Sequence, residues 1–234
     1  MPPPEPIPAG FWMRYTAWSL DTACLLPVAA LLGLAPLGAA LANAQAALHA
    51  LAAAMAHGMD TAVAQAQTPL EMALTLLGDP RLNASVDQLS AALTTLLIVP
   101  PLLYAALACL WSLAFECSSW QATPGKRALG LRVTDAGGAR LDIAQALIRF
   151  AAASLSWLTL NLGHAMVLFA PHLALHDRFS RTRVLADPTR RVLPTWARLW
   201  LLVQAVAGTI ACAWLLMALY AWMQSLLGQA LTGP

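Results

Sequence analysis

Residues 88–115, QLSAALTTLLIVPPLLYAALACLWSLAF, carry no charged side chain, and the run exceeds the roughly 20 apolar residues that a bilayer-spanning helix needs. Three further runs share this property: 22–59, 150–175 and 199–234. Hydrophobic residues make up 59% of the chain and charged residues only 10%, whereas about a quarter of an ordinary globular domain is charged. With a mean hydropathy of +0.65, the composition places the chain in a bilayer. It predicts an all-α, polytopic helical membrane protein with three or four membrane segments plus short interfacial strands.

The net charge of +2 hides a partition. Residues 43–88 carry Asp60, Glu71, Asp79 and Asp87 against Arg81 alone. Residues 116–149 carry Lys126, Arg127, Arg132, Arg140 and Arg149, and residues 177–198 carry Arg178, Arg181, Arg183, Arg190, Arg191 and Arg198. Lys and Arg mark cytoplasmic loops, so the acidic loop is expected outside and both basic stretches inside. The expected location is the cell inner (plasma) membrane, multi-pass, with the N-terminus cytoplasmic. Arg outnumbers Lys twelve to one in an Ala- and Leu-rich chain, which points to a bacterial genome of high GC content.

Residues 1–10 hold five prolines and are expected to form a disordered leader. Phe11 and Trp12 then open the first helix. Ala42, Asn43 and Ala44 would suit a signal peptidase, but the preceding run is longer than a signal core, Asp21 stands at its start and the leader has no basic cluster, so it is read as a retained helix. Pro36 and Gly38 loosen its end. An Ala-rich outer insertion, 39–85, follows, helical to about residue 67 and then capped anew by Thr68 with Glu71 for a short helix near 69–77. Ser85 with Gln88 forms a second capping box before a span over 86–115, which Pro100 and Pro101 kink. The acceptor triplet Asn83-Ala84-Ser85 is read as part of that cap rather than as a glycosylation site. Trp12, Trp18, Trp120, Trp196, Trp200 and Trp222 flank the apolar runs as headgroup-level residues do, or pack between helices.

After the second span the pattern changes. Leu129, Leu131 and Val133 alternate as in a strand, 135–138 turns the chain, and Asp142 with Gln145 caps an amphipathic helix that begins near Ile143. A second strand over 181–185 is expected to pair with 130–134. A simple third span over 150–175 would put the two basic stretches on opposite faces. Asn161 and Gly163 offer a break at which the segment could instead enter and return as a buried helical hairpin. Both forms stay open on sequence alone. Residues 199–234 form an additional C-terminal transmembrane helix.

Three blocks together resemble the RDD family of membrane proteins, named for one arginine and two aspartates. They are Gly10-Phe11-Trp12-Met13-Arg14-Tyr15 with Ala17 and Asp21, then Thr123-Pro124-Gly125-Lys126-Arg127 with Leu129-Gly130-Leu131-Arg132-Val133, then Leu175-His176-Asp177-Arg178 through Thr182-Arg183-Val184. The resemblance covers most of residues 10–185 and defines an RDD-like membrane domain over 11–198. It implies that Arg14, Asp21 and Asp177 are the name-giving residues. The implied activity is transport, with cation/proton exchange proposed for some members. The insertion 39–85 and the last helix depart from the pattern.

Ionisable groups at membrane depth are costly unless paired or functional. Arg14 and Asp21 lie about 10 Å apart along a helix, and helical side chains lean toward the N-terminus, so Arg14 does not reach Asp21. Asp21 is expected either to meet an arginine from another segment, with Arg178, Arg149 and Arg181 as candidates, or to serve as a proton site. Arg14, Asp21 and Asp177 thus form the candidate polar cluster, supported by His176, Arg178, Lys126 and Arg127. His172, His176 and Asp177 could share a helix face at a metal-like spacing, but no further ligand motif supports them, and a carbonyl-bonded histidine is preferred. His164, beside Gly163, is read as a satisfied buried group in preference to a proton relay.

The stretch 124–127 lacks the first glycine and the final Ser or Thr of a phosphate-binding loop. It is read as a turn that sets Lys126 and Arg127 against anionic lipid headgroups. Cys24, Cys109, Cys117 and Cys212 show no metal or disulfide spacing. No catalytic constellation, cofactor motif or nucleic-acid-binding pattern is legible. Two functions follow as expectations: a transport-related role in which the cluster binds or gates a cation or proton, and a non-catalytic scaffold that docks a protein partner or a second copy of itself.

Overall fold

The computed structural model describes residues 7–159, 161–189 and 192–232. Residues 1–6 of the expected leader, Arg190, Arg191 and the side chain of Trp222 lie outside the described residues. Strand β1 (Ile7–Pro8) precedes α1 (Phe11–Ala64), α2 (Pro69–Gly78), α3 (Pro80–Glu116), α4 (Pro124–Ala128) and β2 (Leu131–Asp135). Then follow α5 (Ile143–Leu158), α6 (Leu162–Ala165), α7 (Leu175–Phe179), β3 (Thr182–Ala186) and α8 (Thr195–Thr232). Among the described residues α1, α3 and α8 are long and apolar enough to cross a membrane. The architecture is the expected all-α polytopic one with short strands.

Two compact units divide the chain: Met1–Asp21 with Ser112–Pro234, and Thr22–Trp111. The first holds a three-stranded antiparallel sheet in the order β1-β3-β2. The expected pairing of the two longer strands is present, with Val133 opposite Val184 and Leu131 opposite Ala186. Alternation puts Leu131, Val133, Val184 and Ala186 on one face, where they bury with Ala9, Met13, Ala17, Leu129 and Leu141 into a core. Arg132 and Arg183, on the other face, are exposed. The leader reading needs correction at its end. Ile7 and Pro8 pair with Ala186 and Leu185 as an edge strand, a position that tolerates proline because no ladder hydrogen bond is required of it.

In the second unit α1 runs unbroken through Pro27 and Pro36, so the expected loosening at Pro36 and Gly38 does not occur. In an apolar environment a backbone released from the helix finds no alternative partner, and this favours continuation. The 54 residues of α1 rise about 80 Å, far more than the roughly 30 Å of hydrocarbon, so part of the helix must project beyond the bilayer. Thr68 and Glu71 cap α2 reciprocally, as expected. Ser85 and Gln88 do not cap α3. That helix begins at Pro80, where the Asp79 side chain accepts from the Arg81 amide at 2.8 Å, and Ser85 lies inside it, donating back to the Arg81 carbonyl. Thr22 and Tyr104 hydrogen-bond at 2.8 Å between α1 and α3, and small residues such as Ala40, Ala44, Ala47 and Ala92 are buried in this unit, as close helix packing requires.

The segment 150–175 breaks where expected. Asn161 adopts the left-handed conformation (φ 64), and α5 and the short helices after it bend by 112°. Gly163 lies against α5 and α7: a Cβ there would come within 3.0 Å of the Ser156 Cβ and 2.9 Å of the Leu175 Cβ. Asp142 and Gln145 form the expected capping box at the start of α5.

Candidate functional site

The side chains that matter all belong to the first unit. Arg14 sits one turn into α1, and its backward lean carries the guanidinium past the helix start. Nε donates to the Ala9 carbonyl at 3.0 Å, Nη1 to Asp177 Oδ2 at 2.5 Å and Nη2 to the His172 carbonyl at 3.1 Å. As expected from helix geometry, Arg14 turns away from Asp21.

Asp177 is the hub. Its side chain is fully buried, Oδ2 also accepts from the Ala174 amide at 3.0 Å, and Oδ1 is ion-paired with Arg149 Nη1 on α5. Burial alone would raise this carboxyl, but the Arg149 and Arg14 charges outweigh it and hold it well below the usual carboxylate range. Arg149 also donates to Thr182 Oγ1 on β3 at 2.7 Å, and its Nε lies 3.4 Å from Glu116 Oε2. Glu116, the last residue of α3, pairs in turn with Lys126. The result is an alternating chain, Lys126–Glu116–Arg149–Asp177–Arg14, which ties together the end of α3, α4, α5, α7 and the start of α1.

Asp21 forms a second station, and the expectation that Arg149 meets it is corrected because that arginine serves Asp177 and Glu116. The buried Asp21 carboxylate accepts from Thr123 Oγ1 at 2.5 Å and from the Gly125 amide at 2.8 Å. Thr123 makes no side-chain cap for α4, so a carboxylate from α1 satisfies a free amide of the first turn in its place. Glycine is required at 125: a Cβ there would stand 3.0 Å from the Asp21 carboxyl and collide with the Ala17 carbonyl oxygen. Of the three name-giving residues the structure therefore joins Arg14 and Asp177 directly and sets Asp21 on Thr123 and Gly125, the latter next to Lys126 in the chain.

The supporting residues separate. Lys126, expected at the lipid headgroups, faces Glu116 instead, because a buried carboxylate needs a counter-charge. Arg127 is exposed and lies 4.0 Å from the Trp120 ring centre. Arg178 and Arg181 point outward. His172 and His176 do not share a helix face: His172 precedes α7 with a left-handed backbone (φ 61), and its Nδ1 meets the Val167 carbonyl at 2.9 Å. His176 is buried with Nε2 3.5 Å from Asp177 Oδ1 and its ring 5.1 Å from that of His164. Burial first, then the Arg149 charge, push His176 well below the usual histidine range. Contrary to the reading of His164 as satisfied, Nδ1 of His164 and of His176 have no hydrogen-bond partner among the described residues. No group of three metal-ligating side chains converges among the described residues.

Sequence reasoning missed Glu116 altogether. Its signal was its place, a lone carboxylate closing the uncharged run 88–115 directly before a basic stretch.

Three helices long and apolar enough to cross a membrane, together with a broken apolar segment and a small sheet beside buried ion pairs, define a polytopic helical membrane protein. The chain belongs to the RDD family, whose profile matches residues 8–181. It is also similar to the uncharacterized protein YxaI of Bacillus subtilis (strain 168), 37% identical over 67 residues. That match takes in 29% of this chain and 44% of the relative, so the chain spans less than half the length of the relative it matches. No solved structure matches.

Proposed function

We propose that this RDD-family membrane protein is transport-related and that the Arg14–Asp177–Arg149 cluster is a gate for a cation or proton. The observation that carries the reading is that the two oxygens of one buried carboxylate hold arginines from two different helices, α1 and α5. The connected chain contains three cations, Lys126, Arg149 and Arg14, against two carboxylates, Glu116 and Asp177, leaving it one positive charge in excess (3 − 2). Such a cluster repels a resident cation and suits a latch that opens by exchanging partners. The positive-inside asymmetry supports a cytoplasmic, inner-membrane position for this cluster, with exposed arginines toward the anionic leaflet.

Proteoliposome flux driven by pH and sodium gradients tests the reading. The parent is expected to conduct, and Asp177→Asn and Asp21→Asn, at normal abundance, to lose gradient dependence. A parent that moves neither sodium nor protons turns the assignment to a non-catalytic scaffold that docks a protein partner or a second copy. The saturation of Asp177 by two arginines and a backbone amide favours that second reading, since it also describes a static clamp.

A further inference from the structure

Lys126 and Arg127 are adjacent, yet they face opposite ways. Lys126 turns inward to Glu116, whereas Arg127 is exposed with its guanidinium carbon 4.0 Å from the Trp120 ring centre. Trp120, 44% exposed, stacks in turn on Phe115, ring centres 5.5 Å apart at 27°. No carboxylate forms an ion pair with Arg127 among the described residues.

Chain length limits how far this stack stands from the end of α3. Trp120 follows Glu116, the last residue of an apolar span, by four positions, which cover at most about 14 Å when fully extended. On the membrane placement proposed above, the ring rests near the headgroup layer, the level that tryptophan prefers. An arginine seated on an aromatic face keeps its planar donors free in a restricted orientation, matched to two phosphate oxygens. The first turn of α8 also carries an exposed tryptophan and an exposed arginine: Trp196 is 45% exposed, and Arg198, two positions on, donates from Nε to the Leu193 carbonyl at 3.1 Å.

We infer that Arg127, seated on the Phe115–Trp120 stack, is a binding site for the phosphodiester of an anionic phospholipid. The site is distinct from the ion-pair chain, because the lysine beside it is committed inward. The inference rests on the membrane placement proposed above but not on the gate, so flux and lipid retention can fail separately.

Native mass spectrometry of the full chain, released from detergent with dioleoylphosphatidylglycerol or dioleoylphosphatidylcholine, tests the site. The parent is expected to retain phosphatidylglycerol preferentially. Arg127→Gln is expected to weaken that retention about fivefold, the worth of one interfacial arginine, and Trp120→Leu to weaken it about twofold or more through loss of the cation–π seat. Arg140→Gln removes the same charge from an exposed arginine and is expected to change little. An unaltered thermal midpoint in each variant confirms folding. Equal retention of the two lipids by the parent, an Arg127→Gln variant that keeps the parent's preference, or equal losses in Arg127→Gln and Arg140→Gln would overturn the site. Displacement of the lipid by millimolar inorganic phosphate would assign it to free phosphate and overturn the lipid assignment.

Discussion

Arg149 and Asp177 stand 28 residues apart, at the two ends of the apolar segment 150–175, and their side chains are ion-paired. A straight helix over that segment would separate its ends by about 39 Å at 1.5 Å per residue. The contact thus brings the two ends of the segment together, as do the paired strands β2 and β3 that flank it, which is what a re-entrant segment requires. Cysteines placed at Trp120 and Asp187, in a background free of native cysteine, are expected to react with an impermeant reagent from one side of the membrane. Opposite-side labelling would remove the re-entrant arrangement.

Because Asp177 holds two arginines, its neutralisation is expected to cost more than the loss of one contact. Asp177→Asn leaves the Arg14 and Arg149 guanidinium groups facing an uncharged amide, and breaking a buried pair this way costs about 3–5 kcal/mol. Arg149→Met should be comparably damaging, since it takes a cation from both Asp177 and Glu116 and leaves each with a single partner, Arg14 and Lys126. The double variant is expected to lose less than the sum of the two single losses, because each single change leaves a charge that the other removes. Thermal unfolding of the three variants in detergent micelles measures this, and strict additivity would show that the two groups do not act as a unit.

Much of this arrangement was legible because it rests on local rules. Charge-free length marked the spans, alternation in 129–133 marked β2, and the Thr68–Glu71 and Asp142–Gln145 spacings marked two helix starts. Arg14 could be turned away from Asp21 by side-chain direction alone. The pairings across segments were not legible, because they depend on how distant elements meet. Arg149 goes to Asp177, Lys126 goes to Glu116, and Asp21 goes to a threonine hydroxyl and a glycine amide that look like a plain turn in sequence. The same limit explains α1, whose prolines locally predict an interruption that the apolar surroundings do not allow.

Gly125 offers a test of the Asp21 station that leaves every charge in place. An added methyl would press on the Asp21 carboxyl, 3.0 Å away, and on the Ala17 carbonyl, which is backbone and cannot swing aside. Gly125→Ala is therefore expected to destabilise by about 1–3 kcal/mol, the usual cost of overpacking, while Gly208→Ala, where a Cβ meets nothing within 4 Å, should be near neutral. Equal thermal midpoints for the two variants would show that α4 does not rest tightly on α1.

Acid should weaken this unit in two stages, and the sign follows from the direction of each shift. Burial and the Arg149 charge depress His176 well below its ordinary 6.5, so below about pH 6.5 the unfolded chain binds a proton that the folded chain refuses, and stability falls as pH falls. His176 is faced by Arg149 from α5, His164 from α6, Arg14 from α1 and its neighbour Asp177, three of the four being positive or neutral groups that disfavour its protonation. Asp177 is shifted downward from 3.8, so its contribution is complete above that value and is lost only as the pH drops further through its folded range. Unfolding midpoints measured downward from about pH 8 are expected to decline first below about pH 6.5 and more steeply below about pH 4. His176→Gln should reduce the first decline and leave the second. A variant whose midpoint follows the parent's between about pH 6.5 and 4 would show that His176 does not carry the first stage.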